Sequence, residues 1–188
     1  VSAFEDCYWL FSSNKLNHGI MRRRLDEAAY LYRMLKQLDA PRVAELGRFK
    51  GGSTFLFAAA GAQVLSLDNN LLGSQPRYVA DLQAALQRFH LQDRVVCEIV
   101  DALEYPVEPE SYDLVFIDFA STRDLAERSF ARWWPAVKPG RYLLMCDGKC
   151  SPHLDVVDCV SLLDSAQFGG TRLPNTPGAF VVFQKNST

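Results

Sequence analysis

Acidic residues follow a series of short apolar runs in this chain, each at or beside the point where a strand is predicted to end. These acids are Glu45, Asp68, Asp101, Asp118 and Asp147. In an open parallel sheet, ligands bind outside the carboxyl ends of the strands, near the point where the strand order reverses. Carboxylates collected there accept hydrogen bonds from ligand hydroxyl and amino groups and attract cationic ligands. The acids therefore predict a ligand site at this edge of the sheet.

The first apolar run leads into a glycine-rich turn, with the sequence VAELGRFKGGST. Gly47 and Gly51 can adopt backbone angles that a Cβ disfavours, and they let a ligand approach the main chain. We expect Ser53 or Thr54 to cap the helix that follows, whose N-terminal amides then face a polar ligand group. Asp68 ends the next apolar run about 20 residues further on, where an acid can bind ribose hydroxyls. The stretch predicts a nucleoside-binding strand–helix–strand unit.

The spacing of the glycines argues against a dinucleotide. A dinucleotide-binding turn reads G-x-G-x-x-G and faces a pyrophosphate, whereas this turn reads G-x-x-x-G-G, with Glu45 two residues before the first glycine. The Glu45 carboxylate would repel a pyrophosphate and attract a cation. S-adenosylmethionine carries a sulfonium and an ammonium group, so it suits an acidic turn. A nicotinamide-dependent oxidoreductase is disfavoured on the same grounds.

At these residues the chain resembles the class I S-adenosylmethionine-dependent methyltransferases. The match to E-L-G-x-x-x-G-x-S looks closest to the O-methyltransferase branch, and the segment FKGGST is similar to a subgroup that acts on sugars and natural products. The resemblance implies an α/β, Rossmann-like methyltransferase fold: a mostly parallel seven-stranded sheet with helices on both faces and an antiparallel last strand. It also implies O-methylation of a small molecule or sugar. A purely structural strand–turn–helix is the alternative interpretation.

The resemblance assigns roles to residues of this edge. Glu45 and Gly47 would line the methionine part of the cofactor, and Asp68 would bind its ribose. Asp101 with Ala102 would meet the adenine edge. The full set of predicted cofactor-binding residues is Glu45, Gly47, Lys50, Gly51, Ser53, Asp68, Asn69, Asp101, Ala102 and Asp118.

Methyl transfer to a hydroxyl needs a group that removes or offsets the hydroxyl proton, either a metal ion or a side-chain base. Metal-dependent relatives bind Mg²⁺ through an acid that ends the fourth strand and an adjacent pair of acid or amide residues after the fifth. Asp118 and Asp147 fit this pattern and are the predicted metal ligands, but Gly148 stands at the second position of the pair. Because a hard cation prefers about six oxygen ligands, the sequence leaves dependence on Mg²⁺ open.

The predicted catalytic residues are Asp118, Lys149 and His153. His153 lies just past the fifth strand, on the rim where a substrate is expected, and its alternative is a surface histidine at a helix start. Lys149 would orient an acceptor oxygen or be a solvated charge. His18 is a further candidate base if the N-terminal segment folds over the pocket.

The apolar pattern predicts strands that alternate with helices, which is typical of a parallel sheet with helices on both faces. Apolar residues at helical spacing predict the helices and continuous apolar runs predict the strands. The predicted helices cover residues 20–38, 55–60, 78–89, 125–134 and 153–166, and the predicted strands cover 43–46, 62–67, 95–100, 112–118 and 141–146. A turn is predicted at 138–140, and an antiparallel pair at 171–173 and 179–184.

We predict an N-terminal segment and helix over residues 1–39, followed by the cofactor-binding domain over 40–188. The aromatic stretch from Phe4 to Phe11 is either a lid or substrate wall, or a flap packed on the domain. Three arginines follow it, Arg22 to Arg24. They either grip a phosphate or carboxylate of the substrate or form a solvated helix face.

Length and composition are those of a single domain, because 188 residues that are 48% hydrophobic can bury one core. The net charge of −2 gives no electrostatic basis for binding nucleic acid or an anionic membrane. Five scattered cysteines favour a reduced, cytoplasmic protein. We expect the partner to be a small-molecule acceptor, and the sequence leaves homodimerisation open.

A second function hypothesis comes from a different class. Gly148 stands where a second metal ligand is expected, and the residues after Asp118 lack the histidine often found there in the subgroup. These departures favour a catalytically inactive cofactor-binding module that acts through a protein partner. Turnover with an acceptor separates this hypothesis from the first.

Overall fold

The computed structural model describes residues 3–11, 20–70, 76–146 and 168–187. The helices in these residues are α1 (Leu25–Lys36), α2 (Gly52–Ala59), α3 (Pro76–Arg88) and α4 (Arg123–Trp133), with 3-10 helices at Phe4–Phe11, Gln92–Arg94 and Trp134–Ala136. The strands are β1 (Arg42–Leu46), β2 (Gln63–Asp68), β3 (Val95–Ile99), β4 (Tyr112–Ile117), β5 (Val137–Met145), β6 (Gly170–Arg172) and β7 (Val181–Lys185). No helix in the described ranges is long and apolar enough to cross a membrane.

The strands form one seven-stranded sheet in the order β3-β2-β1-β4-β5-β7-β6. Strands β1 to β5 pair in parallel, whereas β7 runs antiparallel to both β5 and β6. The strand order reverses between β1 and β4, since β1 is followed by strands on one side and β4 by strands on the other. The predicted mostly parallel sheet with an antiparallel last strand is confirmed.

The central strand β4 is buried along its whole length. Successive side chains of a strand point to opposite faces of the sheet. Leu114 and Phe116 accordingly pack in one core cluster with residues of α1 and α2, while Val115 and Ile117 pack in the other with residues of α4. Cover on both faces explains why this strand is a continuous apolar run rather than an alternating one.

The first helix begins later than its apolar spacing predicts. Helix α1 starts at Leu25 rather than at residue 20, because Arg24 has an extended backbone and the Met21 amide donates to the Leu10 carbonyl at 3.0 Å. The segment 20–24 is thereby held against the aromatic N-terminal helix. Arg22 to Arg24 therefore precede the helix. The interpretation that they form a solvated helix face is wrong.

The predicted turn at 138–140 is also wrong, because those residues lie inside β5, which begins at Val137. The register of the pairing with β4 shifts at this point, so the turn is absorbed as an irregularity of the strand. Lys138 Nζ and Arg141 Nε both donate to the Asp113 carboxylate, at 2.7 and 3.0 Å. These two contacts hold the irregular part of β5 against β4.

The other predicted elements within the described residues match the structure to within three residues at either end. Helices α3 and α4 correspond to the predictions at 78–89 and 125–134, and the pair β6–β7 corresponds to the predicted antiparallel pair. The predicted helix at 153–166 lies outside the described residues.

The aromatic N-terminal segment packs against the sheet domain as a 3-10 helix. Cys7 and Leu10 are fully buried and belong to the same core cluster as α1 and α2. The Trp9 ring lies 4.9 Å from the Phe55 ring of α2 and 5.6 Å from the Phe89 ring, measured between centroids. This segment therefore shares the core of the domain that follows it.

The adjacent tryptophans Trp133 and Trp134 are core residues rather than an exposed patch, with 0% and 4% of their surface accessible. The Trp133 indole donates to the Ala102 carbonyl at 2.9 Å. This bond fixes the end of α4 to the loop that follows β3, which carries two of the predicted cofactor contacts.

Candidate functional site

The ends of β1 and β4 meet at the point where the strand order reverses. The Asp118 amide, just past β4, donates to the Leu46 carbonyl at 2.8 Å. Gly47 has a φ of +95°, and a Cβ there would lie 3.0 Å from the Asp118 carbonyl atoms, so a larger residue would push these two strand ends apart. Ligands of open α/β sheets bind in the crevice at this position, which we call the crevice below.

The Glu45 side chain lies in β1 beneath the glycine-rich turn and is completely buried. Its carboxylate accepts hydrogen bonds from the hydroxyls of Ser53 and Thr54 in α2 and, at 2.6 Å, from the hydroxyl of Ser66 in β2. The carboxylate thus joins the start of α2 to two strands. The contact between Glu45 and a cofactor that the family resemblance implies stays a prediction, because protein hydroxyls surround both carboxylate oxygens.

These bonds correct the predicted helix cap. The N-cap of α2 is Gly51, in the left-handed region with a φ of +82°, and no side chain in the described part of the chain caps the helix. Ser53 and Thr54 donate to Glu45 instead, because a buried carboxylate is a stronger acceptor than a neutral one and needs partners. Burial raises the pKa of Glu45, against the opposing effect of the three hydroxyl bonds and of the Arg48 charge.

A second buried charge, Arg48, lies close to this cluster, with 3% of its surface exposed. Its Nη1 donates to the carbonyls of Ser66 and Glu98, at 2.9 and 3.3 Å, while its Nε and Nη2 have no hydrogen-bond partner among the described residues. Sequence reasoning missed this residue because an arginine in a glycine-rich turn is normally exposed. The positive charge lies under the turn, where it opposes the rise in the pKa of Glu45 and contributes to the low pKa of Asp68.

Asp68 holds the glycine-rich turn in place. Its Oδ2 accepts the Arg48 and Phe49 amides, both at 2.9 Å, and its Oδ1 accepts the Asn70 amide at 2.7 Å. Burial favours a higher pKa for Asp68, but these three amides and the Arg48 charge outweigh it, so the pKa lies below its usual value. Asp68 is therefore an ionised carboxylate at neutral pH. It remains half-buried at the end of β2.

The remaining predicted cofactor contacts lie around the same edge. Asp101 is exposed, and its Oδ1 accepts the Leu103 amide at 2.9 Å, which orders the turn after β3. Asn69 is exposed beside Asp68. Lys50 places its ammonium group 5.3 Å from the centroid of the Tyr78 ring, a cation–π distance.

The N-terminal segment 20–24 contributes an arginine to the crevice. Arg23 forms an ion pair with Asp118, and the two side chains retain only 15% and 21% exposure. Next to it, the Arg22 guanidinium stacks 4.5 Å above the Phe49 ring of the turn. Arg24 instead pairs at the surface with Asp26. Of the three arginines that the sequence grouped together, one therefore enters the crevice.

The same segment lies directly on the first residue of α2. A Cβ added at Gly52 would lie 2.7 Å from both the Ile20 carbonyl oxygen and the Met21 Cα, which are backbone atoms that cannot rotate away. Gly52 therefore permits the close approach that brings Arg23 to Asp118.

Replacing Gly52 with alanine tests this contact, because helix propensity and overpacking change the free energy of unfolding in opposite directions. Helix propensity alone favours alanine by about 1 kcal/mol, but overpacking costs about 1 to 3 kcal/mol, and we expect the variant to be less stable on balance. Urea unfolding followed by circular dichroism measures the difference. A variant more stable than the parent would mean that the N-terminal segment does not pack on α2.

Four predicted site residues lie outside the described residues, namely His18, Asp147, Lys149 and His153. Of the two predicted metal ligands, Asp118 is the one that the structure describes, and it is engaged by Arg23. No group of three acidic, histidine or cysteine side chains that could hold a metal ion is found in the described ranges. Binding of Mg²⁺ stays a prediction, and an ion at Asp118 would compete with the Arg23 guanidinium.

A groove of about 500 Å³ lies elsewhere, between α1 and the β6–β7 connection. None of the predicted ligand-binding residues that the structure describes lines it. Its lining residues are Asp26, Tyr30, Arg33, Met34, Gln37, Tyr142, Leu173, Asn175 and Pro177. The chemistry expected of the site therefore belongs to the crevice and not to this groove.

No protein-family profile and no curated protein sequence matches the chain. Solved structures do match. A methyltransferase from Geobacter sulfurreducens has a TM-score of 0.67 at 16% identity, over 90% of this chain and 82% of that chain. An rRNA methylase from Streptococcus thermophilus has a TM-score of 0.64 at 16% identity, over 89% and 99%. An S-adenosylmethionine-dependent O-methyltransferase from Thermotoga maritima has a TM-score of 0.60 at 14% identity, over 89% and 69%.

The chain therefore has the Rossmann-like fold of class I methyltransferases, as the resemblance implied. The similar structures carry names that refer to more than one kind of acceptor. The fold consequently does not select an acceptor.

Proposed function

We propose that the protein is an S-adenosylmethionine-dependent methyltransferase that methylates a hydroxyl group of a small molecule or sugar. The observation that carries the proposal is Asp68, an ionised carboxylate bound by three amides of the turn and its neighbour, at the carboxyl end of β2. In a nucleotide-binding sheet this is the place of the acid that binds ribose hydroxyls.

The donors and acceptors at this edge fit a nucleoside with a cationic arm. Asp68 would accept the ribose hydroxyls, and Asp101 with Ala102 would meet the adenine, since these residues end or follow neighbouring strands β2 and β3. Gly47, Lys50 and the start of α2 would lie beside the methionine part. When bound, the cofactor supplies an electrophilic methyl group.

Two acids would act at this edge, Glu45 of β1 and Asp118 just past β4. The Glu45 carboxylate fixes Ser53 and Thr54 at the first turn of α2, which sets the direction of the free amides there. Asp118 contributes its carboxylate at the crevice. Lys149 and His153 remain predicted catalytic residues. The enzyme's main contribution to an in-line methyl transfer is to hold the acceptor opposite the departing sulfur.

A small-molecule acceptor is favoured over nucleic acid by charge. The chain has a net charge of −2, whereas nucleic-acid binding draws its affinity from phosphate neutralisation by lysine and arginine. We therefore propose a small molecule or sugar as the partner, and expect no affinity for duplex RNA at physiological salt.

The test is calorimetric titration with S-adenosylmethionine and, separately, with NAD, each with and without Mg²⁺. We expect S-adenosylmethionine to bind with a micromolar dissociation constant and NAD not to bind. Absence of S-adenosylmethionine binding would contradict the proposal. A dissociation constant that changes with Mg²⁺ would bring Asp118 and Asp147 into the site as metal ligands.

One observation favours a second candidate, a cofactor-binding module without catalysis. The ion pair with Arg23 neutralises Asp118, the described member of the predicted catalytic set. Release of S-adenosylhomocysteine in the presence of a panel of hydroxyl acceptors would exclude this candidate. Binding of the cofactor without turnover of any acceptor would favour it.

A further inference from the structure

The Arg23–Asp118 pair joins two distant parts of the chain at the crevice. Asp118 follows β4, and Arg23 arrives from the segment that Gly52 allows to lie on α2. The pair is mostly shielded from water, with 15% and 21% exposure, so its charges are less screened than those of a surface pair. A net charge introduced at either residue is therefore felt inside the crevice.

S-adenosylmethionine and its product S-adenosylhomocysteine differ by one methyl group and one positive charge. The ratio of their dissociation constants therefore reports the charge around the sulfur, while contacts to the ribose and adenine cancel. A lone carboxylate at Asp118 would favour the cationic ligand. The guanidinium beside it opposes that preference.

We propose that Arg23 is the residue that sets the charge selectivity of the crevice. By pairing with Asp118, it weakens the binding of cationic S-adenosylmethionine relative to S-adenosylhomocysteine. This inference rests on the proposed function and concerns a residue to which that function gives no role.

The selectivity has a consequence for methyl transfer. The acceptor oxygen forms a bond to the methyl carbon while the carbon–sulfur bond breaks, the bonding pair stays on sulfur, and the acceptor proton leaves to a base or to water. Positive charge at sulfur is thus being lost in the transition state. The Arg23 guanidinium would raise the free energy of the bound cationic cofactor more than that of the transition state, where the positive charge is smaller. The activation barrier would then be lower, which is catalysis by differential binding.

The test compares the two dissociation constants, measured by calorimetry, in the parent and in four single variants. Arg23→Gln removes the guanidinium, Arg23→Lys keeps the positive charge, and Asp118→Asn removes the carboxylate. Arg24→Gln is the matched control, because Arg24 is the neighbouring arginine, has 71% exposure and pairs with Asp26 outside the crevice.

We expect Arg23→Gln to strengthen the binding of S-adenosylmethionine relative to S-adenosylhomocysteine about three- to tenfold. Coulomb's law gives an effect of this size for two charges some 10 Å apart at an intermediate dielectric constant. Arg23→Lys should keep the parent ratio, Asp118→Asn should shift it in the opposite direction, and Arg24→Gln should leave it unchanged. Raising the salt concentration should reduce the shifts. If Arg23→Gln does not fold, judged by circular dichroism, the lysine and asparagine variants still decide the outcome.

The inference is overturned if the parent binds both ligands and the Arg23→Gln ratio equals that of Arg24→Gln. It is also overturned if Asp118→Asn shifts the ratio towards S-adenosylmethionine. If the parent binds neither ligand, the proposed function itself fails, which is a different result from either of these.

Discussion

Replacing Asp68 with alanine is expected to abolish detectable binding of S-adenosylmethionine. The ribose hydroxyls would lose a charged acceptor, and hydrogen bonds to charged groups contribute about 1.5 to 3 kcal/mol each, so two of them correspond to a loss of about 100-fold or more. The turn would also lose the acceptor of the Arg48, Phe49 and Asn70 amides. Phe49, with a φ of +49°, depends most on that support.

Calorimetric titration of the alanine variant, beside Asp68→Asn and Asp81→Ala, separates these effects. Asp68→Asn keeps the size and one acceptor oxygen but loses the charge, so it should weaken binding with a smaller loss of stability. Asp81 is an exposed acid of α3, and its alanine variant should bind like the parent. Tight binding by a folded Asp68→Ala variant would disprove the assignment of the ribose to Asp68.

Replacing Glu45 with alanine is expected to have the largest effect on stability. The change leaves the hydroxyls of Ser53, Thr54 and Ser66 without their common acceptor and opens a cavity between β1 and α2. Buried unsatisfied groups and core cavities each cost a few kcal/mol, so the free energy of unfolding should fall by about 3 kcal/mol or more. Urea denaturation measures this loss, and a decrease below about 1 kcal/mol would contradict the arrangement around Glu45.

Glu45→Gln provides the matched control and a pH test. Burial raises the pKa of Glu45 above 4.5, so its contribution to stability is full below the unfolded pKa and is lost as the pH rises through the folded pKa. The glutamine side chain does not ionise, and the free energy of unfolding of this variant should be only about 1 kcal/mol lower than that of the parent at neutral pH. Its stability should also lack the decline with rising pH that Glu45 gives the parent. An identical pH profile in parent and variant would show that Glu45 folds without a raised pKa.

The sheet could be predicted because the local sequence pattern is enough to indicate its central strands. β4 is a continuous apolar run that is covered on both faces, and acids follow neighbouring strands. Since parallel strands end at one edge, Asp68, Asp101 and Asp118 could be assigned to that edge from order alone. The boundaries of α1 and β5 could not, because contacts made far along the chain, at Leu10 and Asp113, decide them.

The interior of the site was less predictable. Glu45 pairs in register with Ser66 of β2, and a serine inside an apolar run was the one local signal that the acid has a buried partner. Arg23 carried no such signal, since its partner Asp118 lies 95 residues away. Its role depends on the path of the N-terminal segment, which Gly52 permits and which no periodicity encodes.

The junction of β1 with β4 also determines when the crevice comes into existence. These strands lie about 70 residues apart in the chain, and such non-local pairing forms slowly. A nascent chain that ends before β4 contains the glycine-rich turn and Asp68 but no crevice, so it offers a ligand only part of its contacts. A cofactor is consequently poorly placed to act as an early template for folding. If a cofactor binds as proposed, its stabilising effect would fall on the completed fold, where it would slow unfolding more than it would accelerate refolding.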